Sequence, residues 1–213
     1  MTVSSLKHSN CSSQRCRAIV IVLGMAAVSL LLTACASHRP GPYQSQAESS
    51  RDPVRAERLS REAADLMATN PAKAEDLLRE SLTADLYCGP AHNNLGVIHL
   101  SRGELYEAAS EFEWARKLMP GHPDPRLNLA LALHRAGKSN DAIAAARAAL
   151  EVRPEYVPAK QALALLLVHA GTRTDETDQL LDDVSLAGET DRWRSWARME
   201  LARHSRGDVD VSK

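Results

Sequence analysis

From Val54 onward, apolar residues recur at three- and four-residue spacing, the period of a helix with one buried stripe, and short Gly- or Pro-containing breaks interrupt them at regular intervals. The breaks keep register. Gly103, Gly137 and Gly171 lie 34 residues apart, as do Ala74, Ala108 and Ala142, and as do Pro120 and Pro154. A fixed period of that length marks one supersecondary unit stacked on copies of itself. Within each unit the stretch before the glycine predicts one helix, and the stretch between glycine and proline predicts a second. The fold class expected is therefore all-α, an α-solenoid of about four helix hairpins over residues 54–87, 89–120, 123–154 and 157–187. Thr190 to Ser205 places Trp193, Trp196 or Ala197, and Leu201 on one stripe with arginines outside it, which predicts a capping helix with one polar face. Residues 206–213 are expected to be a frayed tail.

At these positions the sequence resembles the tetratricopeptide repeat family. One unit reads His92-x-x-Leu95-Gly96-x-x-His99, then Gly103, Ala108-x-x-x-Phe112-x-x-Ala115 and Pro120. The next reads Arg126-x-x-Leu129-Ala130-x-x-Leu133, then Gly137, Ala142-x-x-x-Ala146-x-x-Ala149 and Pro154. The physical logic is plain. Small residues let paired helices approach closely, glycine ends the first helix in a left-handed conformation without a Cβ penalty, and proline stops the second. The outer units depart from the pattern. In the first, Ala63 and Leu66 precede Ala74 by one residue fewer than expected, which implies a shorter loop near Asn70-Pro71. In the last, Glu176 and Asp183 occupy slots usually held by alanine, so the second helix there is expected to be shifted or to end the array early.

The first 34 residues follow another pattern. Residues 1–17 carry Lys7, Arg15 and Arg17 with no acid, and Ala18 to Thr33 is an apolar run of 16 residues, short of the roughly 20 that a spanning helix needs. The run closes in Leu32-Thr33-Ala34-Cys35, which resembles the lipobox of bacterial lipoprotein precursors. That resemblance implies cleavage before Cys35, acylation of its thiol and a membrane-anchored mature chain in the cell envelope. Ala36 after the cysteine resembles the pattern of lipoproteins sorted to the outer membrane, on its periplasmic side. The alternative is a retained signal anchor with no lipid. Cleavage would remove three bases and no acid, taking the side-chain charge from −1 to −4. Residues 35–53, rich in Pro, Ser, Gln and Gly, lack the large aliphatics needed to fold and read as a tether reaching on the order of 20–25 Å.

Composition narrows the chemistry. With 26 basic against 27 acidic side chains there is no electrostatic case for a general nucleic-acid binder. The 33 alanines and single phenylalanine argue against an aromatic-cored β-sandwich. Of four cysteines, Cys11 and Cys16 would leave with the signal and Cys35 would be acylated, so Cys88 would stand alone as a small buried residue rather than part of a disulfide framework. No nucleophile–base spacing, Gly-rich phosphate loop, HExxH or paired CxxC is present, so the chain reads as non-enzymatic, without cofactor or small-molecule substrate. His92 and His99, two helical turns apart, share a face and admit a second reading, a ligand- or metal-binding regulator with His134. They also fill the slots that are Trp and Tyr in the tetratricopeptide signature, where rings pack between helices.

The family resemblance further implies that the first helix of each hairpin lines a concave surface that binds a protein or peptide. The residues it assigns there are Asn93, Val97, Leu100 and Ser101 in the second unit, Leu127, Leu131, His134 and Arg135 in the third, and Gln161, Leu165, Val168 and His169 in the fourth. The expected function is a lipid-anchored scaffold recruiting a partner protein, of the kind that assists pilus, secretion or cell-wall assembly.

Overall fold

The computed structural model describes residues 50–210. The apolar run, Cys35 and most of the expected tether lie outside them. Among the described residues the chain forms nine helices and no strand: α1 (Pro53–Leu66), α2 (Pro71–Ala84), α3 (Gly89–Arg102), α4 (Leu105–Leu118), α5 (Asp124–Arg135), α6 (Ser139–Val152), α7 (Val157–His169), α8 (Asp175–Ala187) and α9 (Asp191–Asp210). Consecutive helices pair as hairpins α1–α2, α3–α4, α5–α6 and α7–α8, and α9 packs on α8. The first helices of the hairpins also touch in succession, α1 on α3, α3 on α5 and α5 on α7, which makes the array an α-solenoid. Helix α9 continues to Asp210, beyond the end expected at residue 205.

The turn inside each hairpin is set by its glycine. Gly103, Gly137 and Gly171 have φ of 80°, 75° and 68°, the left-handed region where a Cβ would be strained. The residue after each glycine donates its N–H to a carbonyl five residues back: Glu104 to His99 at 3.0 Å, Lys138 to Leu133 at 2.9 Å and Thr172 to Leu167 at 2.9 Å. These bonds satisfy carbonyls that the helix end would otherwise leave open. Helix α4 ends two residues before Pro120 and α6 two residues before Pro154. Where no glycine is available a side chain caps the next helix. Asn70 Oδ1 accepts from the Lys73 N–H at 3.1 Å, with Pro71 beginning α2.

Close approach depends on small residues. A Cβ on Gly96 of α3 would stand 2.6 Å from Phe112 Cε1 of α4, and Phe112 is fully buried. Each second helix buries a 4-then-3 stripe: Ala74, Leu78 and Ser81 in α2, Ala108, Phe112 and Ala115 in α4, and Ala142, Ala146 and Ala149 in α6. In α8 the stripe is Thr177, Leu181 and Val184, one residue later than a strict 34-residue frame would place it. An extra residue in the loop after Gly171 produces the slip, and Thr177 Oγ1 anchors it by donating to Thr172 O at 3.1 Å. The fourth hairpin is thus complete but displaced by one position. The slip moves Glu176 and Asp183 off the buried stripe and into ion pairs. Arg147 of α6 meets Glu176 at 2.9 and 2.6 Å, and Lys160 of α7 meets Asp183 at 2.8 Å.

The N-terminal boundary also differs from expectation. Residues 51 and 52, assigned to the tether by composition, belong to the fold. Arg51 pairs with Asp85, the Asp52 N–H donates to Ala84 O at 2.9 Å, and Asp52 Oδ1 caps α1 by accepting from the Arg55 N–H. Arg51 is polar and its partner lies 34 residues away, so local apolar content does not mark it as part of the fold.

Candidate functional site: the concave face

The face assigned by the repeat scheme is formed by α3, α5 and α7, which touch in succession, and Trp193 and Trp196 of α9 stand beside Leu165 of α7. Three contacts between residues about one period apart fix how neighbouring turns align. Asn128 Nδ2 donates to Asn93 Oδ1 at 3.0 Å, Arg135 Nη1 donates to Leu100 O at 2.5 Å, and the rings of His134 and His169 stack with centroids 5.6 Å apart. Asn128 and Arg135 are thus tied to the preceding hairpin, while the buried His134 Nδ1 has no hydrogen-bond partner among the described residues.

The residues assigned to this face divide into three groups. Leu131 is 37% exposed at mid-helix on α5, and Leu165 is half-buried on α7; these present aliphatic surface to solvent. Val97 and Leu100 are half-buried against the Phe112–Leu129 cluster, and Val168 rests on the core around Leu163 and Leu167, so each shows only an edge. Ser101, Arg135 and His169 are exposed, His134 and Asn93 are half-buried, and the Ser101 hydroxyl donates to Ile98 O.

Two assignments are corrected. Leu127 is only 8% exposed and packs with Ala149, Ala159 and Ala162, because the crossing of α5 with α6 and α7 closes over it. Gln161 is 3% exposed and turns to the loop before α9. In the amide orientation that satisfies both groups, its oxygen accepts from the Glu189 N–H at 2.8 Å and its nitrogen donates to the Glu189 carboxylate at 3.2 Å. Both belong to the core and its seams, not to the open face.

The histidines at the signature slots pack as rings between helices. His92 is 3% exposed; Nδ1 lies 2.6 Å from Glu111 Oε2, Nε2 lies 2.8 Å from Leu86 O, and the ring stacks on Trp114 at 5.7 Å. His99 Nδ1 lies 2.6 Å from Glu104 Oε2. No group of three or more His, Cys, Asp or Glu suited to a metal ion occurs among the described residues. Cys88 is buried at the junction of the first two hairpins.

An ion pair and a phenol–carboxylate hydrogen bond stitch the seams. Arg102 of α3 donates to Glu75 of α2 at 2.5 Å and holds that carboxyl below its ordinary range. Tyr156, ahead of α7, donates its hydroxyl to the Asp124 carboxylate at the start of α5. Burial first, then the Asp124 acceptor, pushes the phenol up to about 12. Each of these acids accepts from a donor on another segment, an arrangement that fixes the geometry between neighbouring helices.

At the far end of the row lies a feature that repeat logic did not mark as a site. Trp193 and Trp196 of α9, in an edge-to-face pair with centroids 5.4 Å apart, form with Leu165 and Arg192 a cleft of about 380 Å³. The only sequence signal was the pair of tryptophans in an otherwise aromatic-poor chain.

With this geometry in view, comparison with solved structures is informative about the fold. The chain is similar to MamA, with 23% identity over 62% of this chain and 77% of that one, at a TM-score of 0.55. It is similar to TTC0263, described as a thermophilic TPR protein in Thermus thermophilus, with 21% identity over 73% and 84% of the two chains and a TM-score of 0.57. It also resembles the first TPR of Spaghetti (RPAP3) bound to the HSP90 peptide SRMEEVD, with 17% identity over 57% and 98% and a TM-score of 0.54. The fold is therefore that of tetratricopeptide repeat proteins. No family model and no curated protein matches the chain.

Proposed function

We propose that this chain is a non-enzymatic scaffold that binds a protein segment along the concave face of α3, α5, α7 and α9. The observation that carries the reading is the aliphatic surface of exposed Leu131 and half-buried Leu165, beside the Asn128–Asn93 and Arg135–Leu100 bonds that hold the hairpins in register. Such a face offers shape and apolar area to an extended or helical segment, and no aligned nucleophile and base. The solved complex of RPAP3 with an HSP90 peptide supports protein binding as a use of this architecture.

The finer reading is that acylated Cys35 anchors the scaffold in a bacterial envelope, with the outer membrane's periplasmic side favoured, and that the partner belongs to a pilus, secretion or cell-wall assembly. Its support is the Leu32–Cys35 motif after a basic segment and an apolar run. A tether at the membrane would raise the local concentration of whatever the concave face holds. Two measurements test the proposal. A photo-crosslinking residue at Leu131 in intact cells should capture one protein that the same probe at Leu186, 82% exposed on α8, does not; equal capture from both sites would remove the concave face as the binding surface. Mass spectrometry of the mature N-terminus should find acylated Cys35, and an intact Met1 would replace the lipid anchor by a retained signal segment.

A further inference from the structure

We propose that the cleft between α7 and α9 is an anchor pocket for one large apolar side chain of a partner segment, and that Arg192 at its rim receives a carboxylate flanking that side chain. The proposal rests on the concave-face reading and specifies what the partner must carry.

Two of the chain's three tryptophans line this one cleft, over Leu165 of the preceding hairpin. At about 380 Å³ it sits near the lower end of the sizes typical of ligand pockets, roughly 300–1,000 Å³, and suits a single aromatic or branched side chain better than a larger ligand. Both indoles are half-buried, so each already carries apolar surface that a partner can cover without first being unfolded from the core. Aromatic residues beside arginine are the composition that dominates binding energy at protein interfaces.

Charge selects the flank. On α9, Arg194 is paired with Asp191 at 2.5 Å and Arg203 with Glu200 at 2.6 Å. Arg192 is exposed and has no ion pair among the described residues. Asp191 is paired with Arg194, and the Glu189 carboxylate accepts from the Gln161 amide, a bond that orients it toward α7 without cancelling its charge. An unneutralised guanidinium at the edge of an apolar cleft favours a carboxylate, which it can hold through two parallel N–H donors. The occupant is thus a segment of a partner protein in which Phe or Leu is flanked by Asp or Glu.

The test uses the full chain carrying Trp114→Phe, so that emission reports only from Trp193 and Trp196. The probes are the peptides Ac-SEFDS-NH2, Ac-SKFKS-NH2 and Ac-SEADS-NH2. The first should shift the emission saturably and bind about tenfold or more tighter than the second, and the third should give no saturable change. Arg192→Glu, a change at an exposed position, should reverse the order of the first two while leaving the helical signal intact. Equal binding of the acidic and basic peptides, an unchanged order in Arg192→Glu, or no saturable response to any peptide overturns the proposal. Crosslinking at Leu131 reports separately on the concave face. If it persists while the peptides fail to discriminate, the pocket alone is lost; if it vanishes, the broader reading falls whatever the peptides do.

Discussion

Arg51 and Asp85 meet across the ends of the first hairpin as a two-point ion pair, Nε to Oδ1 at 2.8 Å and Nη2 to Oδ2 at 3.0 Å. The Arg51 guanidinium also lies 4.6 Å from the Tyr87 ring, and the Tyr87 N–H donates to Asp85 Oδ1 at 3.0 Å. The chain entering the fold is thereby clamped to the chain leaving the first hairpin. Arg51→Ala should lower unfolding free energy by about 1–2 kcal/mol, since hydrogen bonds to charged groups contribute about 1.5–3 kcal/mol and Arg51 remains partly open to solvent. Urea unfolding followed by circular dichroism checks it; a loss within about 0.3 kcal/mol, the scatter of such comparisons, would show the clamp to be idle.

The same pair sets an acid limb. Arg51 is the main cause holding the Asp85 carboxyl below its ordinary value of 3.8, so the folded state binds this proton less readily than the unfolded one. The stabilisation is fully present above about pH 4 and is lost as pH falls through the folded value. Asp85→Asn should be less stable at neutral pH and show a shallower decline below about pH 4 than the parent. Parallel curves for the two proteins would contradict this.

Leu127 and Leu131 lie one helical turn apart on α5 and should respond oppositely to charge. Leu127→Glu places a carboxylate among Ala149, Ala159 and Ala162 and should cost about 3 kcal/mol or more. Leu131→Glu, at a 37% exposed site, should leave helical content and melting temperature nearly unchanged while reducing partner capture. Thermal melts of both variants decide the matter.

Close helix packing at Gly96 is testable by a single methyl. Gly96→Ala improves helix propensity by about 1 kcal/mol, yet its Cβ would meet the buried Phe112 ring at 2.6 Å, and overpacking of that kind costs about 1–3 kcal/mol. The expected net result is a loss of about 1 kcal/mol, relieved by the second change Phe112→Leu. A more stable Gly96→Ala single variant would mean that the two helices can separate freely.

The one-residue slip in the fourth hairpin makes a sharp contrast within α8. Leu181 is fully buried, and Leu181→Ala should cost about 2–5 kcal/mol. Glu176, in the slot a strict repeat would bury, makes only a half-exposed pair with Arg147, so Glu176→Ala should cost less than about 1 kcal/mol. Denaturant midpoints for the two variants should differ several-fold in their shift from the parent.

What the sequence disclosed and what it hid follow from range. The 34-residue spacing of Gly103, Gly137 and Gly171 carried the hairpins, because a left-handed turn is a local requirement written in one residue. Gly96 and Phe112 were marked as signature positions, but that the ring packs on the glycine is given only by the structure. The flanks were harder. The slip of α8 depends on how the loop between His169 and Asp175 closes, and periodicity registers only that Glu176 breaks the pattern. Leu127 and Gln161 occupied slots that face outward in the repeat scheme, but their burial is decided by the crossing with α6 and by the loop at Glu189, both set in three dimensions. Arg51 was hidden for the same reason, its partner lying a full period away.

The principal interhelical packings join helices only one or two steps apart in the chain. No contact of that kind has to wait for a distant segment, so loop-closure costs stay small and condensation can begin at either end. A polypeptide emerging N-terminus first from a pore can set each hairpin against its predecessor as it appears. Until α9 arrives, the growing tip remains an uncovered apolar edge, and the last-made element is the one that ends its stickiness.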